Sequence, residues 1–194
     1  MEHRTVLITG FEPFGGETVN PSWEAVKALP DRVRDWQLKK LCIPVEYGRA
    51  AEIACRAAEE TGAQVILCIG QAGGRAAVTP EVIGINLREA SIPDNAGVPA
   101  QGVPIDETGP DAYFSTVPVR DMVRAIQEAG IPGTLSYSAG AYVCNDVLYT
   151  LLHRMKGTGI RVGFIHVPYL PQQGSPNLPL EAITSALEAA VAAL

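Results

Sequence analysis

The chain has 194 residues, enough for one full hydrophobic core and short for two domains. Its 47% apolar and 19% charged content is that of a globular protein, and a net charge of -6 without a basic stripe argues against a nucleic-acid partner. No apolar run is long enough to span a bilayer, so no membrane role is expected, and the start "MEHRTVLITGFEPF" lacks the form of a signal peptide.

Apolar runs alternate with helical patterns along the chain. "TVLITGF" (Thr5–Phe11) reads as a buried strand that breaks into a Gly- and Pro-rich loop. "NPSWEAVKAL" follows as a helix, with Asn20 as N-cap and Pro21 at the first helical position, where its missing N–H costs nothing. "LKKLCIPVEY" reads as a strand and "GRAAEIACRAAEET" as an alanine-rich helix. "AQVILCIG" (Ala63–Gly70) has the unbroken apolar run of a strand covered on both faces. "VIGINLREA" (Val82–Ala90) reads as a further strand nearer an edge. From Ile92 to Ser115 proline and glycine are frequent and periodicity disappears, which marks a functional loop or an assembly surface. "VPVRDMVRAIQEAG" is a helix closed by Gly130, "TLSYSAG" (Thr134–Gly140) a strand running into the helix that carries Cys144, and "RVGFIHVPYL" an apolar strand stopped at Pro168. Leu180, Ile183, Leu187, Val191 and Leu194 fall on one side of a final amphipathic helix. This alternation predicts a single α/β domain over residues 1–194, an αβα sandwich around a mainly parallel, mixed sheet.

In open α/β sheets ligands bind beyond the carboxyl ends of the strands. There the chain places "GFEPFGG", "GQAGGR", Cys144 and His166, which are therefore expected to share one rim. The glycine loops match neither the dinucleotide nor the Walker pattern. They suit an apolar small-molecule pocket, or they only make tight βα turns. Cys42, Cys55 and Cys68 sit in apolar strand and helix patterns and read as core. Cys144 instead lies in the first turn of its helix, where free N–H groups and the dipole favour a thiolate. With no Cys-x-x-Cys pair, no secretory mark and His3, His153 and His166 in no metal-ligand spacing, the thiols read as reduced and cytoplasmic, with no metal or cofactor. His166 is either a structural histidine or a general base beside that cysteine. A third group would fix its tautomer, and Glu12, Glu81, Asp94, Asp106 and Asp146 are the candidates; spacing alone does not choose among them.

With these residues assembled, the chain resembles the pyroglutamyl-peptidase I (pyrrolidone-carboxylate peptidase) family of cysteine peptidases. The segments that carry the resemblance are "TGFEPFGG", "NPS", "GQAGGR", "PE", "INL", "IPDN", "GPDAYFST", "SAGAYVCN" and "GFIHVPYLPQQ", in the family's order. It implies removal of N-terminal pyroglutamate from peptides by a catalytic triad of Glu81, Cys144 and His166. It implies a substrate pocket with Phe11, Phe14 and Gln71, to which Ile92 and Val143 also contribute. A cytoplasmic homotetramer is implied as well. Three positions depart from the family's pattern: Ser91 stands where arginine precedes "IPDN", Val82 where arginine is common, and Ala141 where threonine is usual. A phosphorylase or nucleosidase on a similar scaffold, or a binding domain without catalysis, are the rival readings.

Overall fold

Four apolar runs pair side by side in parallel and set the frame for everything else. The computed structural model describes residues 4–194, so His3 lies outside the described residues. In chain order the elements are β1 (Arg4–Phe11), α1 (Pro21–Ala28), β2 (Arg32–Val33), β3 (Trp36–Ile43), α2 (Arg49–Thr61), β4 (Val65–Gln71), β5 (Thr79–Pro80), β6 (Ile83–Ile85), β7 (Ala112–Phe114), α3 (Val119–Glu128), α4 (Val143–Arg154), β8 (Arg161–Val167) and α5 (Leu180–Ala192). The main sheet runs β2-β3-β1-β4-β8-β5. Its centre β3-β1-β4-β8 is parallel, and the short β2 and β5 close the two edges in the antiparallel sense.

Alternate residues of these strands feed two separate cores, because successive side chains point to opposite faces. Val6, Ile8, Val65, Leu67, Ile69, Ile165 and Val167 pack against α1, α3 and α5. Leu7, Ile66, Cys68, Val162 and Phe164 pack against α2 and α4. The result is the αβα sandwich expected from the alternation of elements. Asn20 caps α1 as expected, its side chain accepting the Ser22 N–H at 3.1 Å, with Pro21 opening the helix.

Two expected strands come out differently. Thr134–Gly140 is not a strand of the sheet; it runs beside residues 78–82, where the isolated parallel bridge Glu81↔Ser136 follows Val78↔Gly133 just before the segment. Hydrogen bonds from Val78, Thr134, Ser136 and Val82 alternate across the gap. Pro80 interrupts the ladder because it has no N–H to give. Val82–Ala90 contributes only β6, which pairs antiparallel with β7 in a separate two-stranded sheet. β7 itself falls inside the stretch expected to lack structure. That stretch is ordered by side chains instead of a ladder. Asn86 accepts the N–H groups of Ile105 and Asp106 and donates to the Asp106 carbonyl, while Asp94 accepts from Tyr47, Ala96 and Val98. Cys55 and Cys68 are buried, but Cys42 is only half-buried, because it lies where the end of β3 loses cover.

The N-terminal half of α4 is tied to this excursion. Buried Asn145 accepts the Ile85 N–H at 2.9 Å and donates to the carbonyls of Ile85 and Leu87 at 2.8 and 3.0 Å. Asp146 next to it accepts the Gly48 N–H at 2.7 Å and pairs with Arg88 at 2.6 Å. Together they clamp the helix against α2 and β6 immediately after Cys144. Asn145→Ala strands a backbone donor and two carbonyls in the interior, so it is expected to cost about 3 kcal/mol in urea unfolding, with the m-value unchanged.

Candidate active site

The carboxyl ends of β1, β4 and β8 open onto one cavity of about 260 Å³. Phe11 ends β1, Gln71 ends β4 and His166 is the next-to-last residue of β8, so the sheet delivers all three to one rim. Phe14, from the loop after β1, and Cys144, from the start of α4, join them in the lining. Five of the expected site residues therefore line this cavity.

Cys144 is the second residue of α4. Tyr142 at the N-cap provides no side-chain cap, and the first helical bond runs from the Asp146 N–H to the Tyr142 carbonyl. The N–H groups of Val143, Cys144 and Asn145 thus have no helical acceptor. The sulfur rests against bare backbone of β4: a Cβ on Gly70 would lie 2.9 Å from Cys144 Sγ and 2.7 Å from the Phe164 ring. Gly70 therefore does more than turn the chain; it makes room for the thiol.

Behind His166 lies Glu81, with no solvent exposure. His166 Nδ1 and Glu81 Oε1 are 2.7 Å apart. The same oxygen receives Arg75 Nη1 at 2.7 Å, and Arg75 also donates to Thr79 Oγ1 at 2.6 Å and to the Ser138 carbonyl at 2.9 Å. Burial alone would raise the Glu81 carboxyl, but the hydrogen bonds from His166 and Arg75 hold it below the usual range. A carboxylate there makes Nδ1 the protonated nitrogen, which leaves Nε2 as the base toward the cavity. Burial pushes His166 below the ordinary imidazole value despite Glu81, and the Arg75 charge adds to that. Of the five candidate partners, Glu81 alone meets His166. Asp146 serves Arg88 and Gly48, Asp94 and Asp106 hold turns, and Glu12 is exposed.

One expectation fails. The helix start was expected to keep Cys144 ionised, yet burial pushes its thiol up to about 12, with Glu81 adding to the rise and Arg75 opposing it. Desolvation is the largest contribution to that rise. At rest the site thus holds a thiol and a neutral imidazole.

Two further residues expected at the pocket stand apart from its walls. The Val143 side chain is fully buried in the core beneath α4, because the first residue of the helix turns inward there. Ile92 is 43% exposed on the loop beyond Tyr142 and does not line the cavity. Arg75 and Tyr142 also line the cavity, and neither carries a local signal in the sequence. Arg75 stood in the quoted "GQAGGR", but nothing in the spacing predicts that it reaches Glu81 six residues on. Tyr142 packs against Phe14, with ring centroids 6.0 Å apart, and donates its hydroxyl to the Pro93 carbonyl at 3.0 Å. Of the three departing positions, Ser91 is exposed and away from the cavity wall, while Val82 and Ala141 act through backbone bonds to Ser136 and Glu89. Among the described residues no group of three or more His, Cys, Asp or Glu side chains is arranged to hold a metal ion. No helix among them is long and apolar enough to cross a membrane.

The chain is similar to known proteins along nearly its whole length. A family model described as "Pyroglutamyl peptidase" matches residues 4–194. The pyrrolidone-carboxylate peptidase of Thermococcus onnurineus is 44% identical over 189 residues, covering 94% of each chain. That of Enterococcus faecalis is 46% identical, over 94% of this chain and 89% of its own. Among solved structures, pyroglutamyl peptidase I of Bacillus amyloliquefaciens superposes with a TM-score of 0.94 at 42% identity, covering 98% of this chain and 96% of that one. The pyrrolidone carboxyl peptidase of Thermococcus litoralis gives 0.93 at 37% identity, with coverages of 98% and 92%. A match that spans the described chain, shared with relatives above 40% identity, has one meaning: the chain belongs to the pyroglutamyl peptidase family.

Proposed function

We propose that Cys144, His166 and Glu81 are the triad by which this cysteine-type hydrolase cleaves the peptide bond after an N-terminal pyroglutamyl residue. The observation that carries the assignment is the fully buried Glu81–His166 pair, 2.7 Å apart, beside the cavity that also exposes the helix-start cysteine. The lactam ring is small, uncharged and lacks a free amine. A mostly apolar cavity lined by Phe11 and Phe14, with Gln71 on its wall, suits it. Val143 takes part through its N–H and Ile92 through the rim loop that holds Tyr142.

The resting protonation sets the order of events. Bound substrate displaces water, and the Cys144 proton passes to His166 Nε2 as sulfur attacks the scissile carbonyl carbon. The new oxyanion is met by the free N–H groups at the start of α4. His166 then returns the proton to the departing amine as the C–N bond breaks, leaving a thioester on Cys144. Water, deprotonated by His166, adds to the thioester carbonyl, and the C–S bond breaks to release pyroglutamate and regenerate the thiol. Through these steps Glu81 holds the tautomer and balances the imidazolium. Arg75 neutralises the carboxylate in between. A site that pairs the ring carbonyl disfavours an N-terminal prolyl residue, which leaves a buried donor empty.

The four free cysteines and the thiol chemistry support work in the reducing cytoplasm. Exposed apolar side chains on the rim loop, Ile92, Val98 and Val103, support self-association as a homotetramer.

Cys144→Ala is expected to abolish hydrolysis of a pyroglutamyl anilide while thermal unfolding is retained, and the wild type should prefer that substrate to its prolyl counterpart by on the order of 10⁴-fold. A protonated resting thiol predicts that iodoacetamide labelling of Cys144 accelerates about tenfold per pH unit between pH 7 and 9; a rate independent of pH would show a resting ion pair instead. Because the base must be neutral and burial lowers its pKa, kcat/KM should hold down to the ordinary imidazole pKa of ~6.5 and fall only below it. Arg75→Gln removes a positive charge that lowers the His166 pKa, so the acid limb should move to higher pH, with kcat reduced about tenfold or more.

A further inference from the structure

The pocket amide of Gln71 does not stand alone. Its Oε1 receives the Nε2 of Gln173 at 3.0 Å. Gln173 lies in the turn after β8, outside the cavity wall, and its own Oε1 accepts the Leu170 N–H at 3.0 Å. The backbone of that turn closes through the Gln173 N–H to the Leu170 carbonyl at 2.9 Å.

The chemistry of the neighbours fixes which way each amide faces. Leu170 N–H can only donate, so it must meet the oxygen of Gln173. The NH₂ of Gln173 then faces acceptors throughout: Gln71 Oε1, the Val19 carbonyl at 3.4 Å and the Glu17 carboxylate at 3.5 Å. Turning Gln173 over would oppose two donors at Leu170 and two acceptors at Glu17 and Val19. With its oxygen engaged, Gln71 offers the cavity its NH₂. Apart from Cys144 and His166, the other polar side chains of the wall are committed. Asn20 serves Ser22 and the Glu12 carbonyl, and Arg75 serves Glu81, Thr79 and Ser138.

We infer that Gln173 is a positioning residue for substrate recognition: it holds the Gln71 amide so that a donor, not an acceptor, meets the ring carbonyl of the pyroglutamyl group. Recognition of the lactam thus starts at a main-chain N–H and runs through two amides into the pocket. The ring N–H of the substrate is left to backbone carbonyls. The inference rests on the pyroglutamyl reading of the pocket.

Polarity can be inverted at one atom. Gln173→Glu keeps the shape and still accepts the Leu170 N–H, but it has no donor for Gln71 and turns that amide over. Glu17→Gln is introduced alongside, so that no two carboxylates are brought together, and serves alone as the control. Two readouts separate positioning from general damage: the inhibition constant of 2-pyrrolidone, a lactam without a scissile bond, and the labelling rate of Cys144 by iodoacetamide without ligand. In the double variant the 2-pyrrolidone constant and the KM for a pyroglutamyl anilide should each rise at least tenfold. The kcat, the labelling rate and the unfolding temperature should stay close to the control. Gln173→Met, which frees Gln71 to adopt both orientations, should give a smaller rise in the same two constants, and it decides the matter if the double variant fails to fold. Unchanged 2-pyrrolidone binding in either folded variant overturns the role of Gln173 while leaving the pyroglutamyl assignment intact. Failure of the wild type to bind 2-pyrrolidone or cleave the anilide overturns both.

Discussion

The site depends on one buried carboxylate. Glu81 has no contact with solvent, and a lone carboxylate in such a place would take up a proton. It stays ionised because two donors converge on Oε1, the His166 ring from β8 and the Arg75 guanidinium from the loop after β4. That convergence joins strand ends and loops far apart in sequence. It also fixes the imidazole tautomer, which in turn decides which nitrogen faces the cavity. Arg75 extends the same bond set to the Ser138 carbonyl, so the charge network also steadies the approach to α4.

The nucleophile shows two electrostatic effects in opposition. The uncapped start of α4 favours an anion, whereas the seating of Sγ against Gly70 removes water that would solvate one. Burial raises the thiol in the free protein. The N–H groups of the helix start are then held in reserve for the oxygen that becomes negative during attack, where stabilisation accelerates the reaction instead of merely charging the resting enzyme.

Much of the frame was legible in the sequence because it rests on local signals. The unbroken apolar runs of β1, β4 and β8, the Asn20-Pro21 helix start and the apolar stripe of α5 are each readable within a few residues. The rim residues Phe11, Gln71 and His166 followed, since strand ends in a parallel sheet share a side, whereas Cys144 arrives there on the start of α4. Residues 82–111 and 134–140 were not readable in this way. Their backbone is satisfied by distant side chains such as Asn86, Asp94 and Asn145, and a missing N–H at Pro80 breaks the ladder that the apolar pattern of "TLSYSAG" implied. Arg75 and Gln173 escaped notice for a related reason. Each works through partners set by the fold, and an arginine or glutamine in a polar loop looks the same when it has none. The resting charge of Cys144 needed the packing around Gly70, which no spacing reveals.

Asn145 and Asp146 follow the nucleophile directly and anchor β6, Arg88 and Gly48. Sulfur and anchors therefore turn together as one rigid piece. A change in the excursion after β6 that shifts Ile85, Leu87 or Arg88 reaches the nucleophile through these anchors. Grafting that excursion from a relative would have to carry its contacts with this helical turn along with it, or the thiol would be aimed elsewhere.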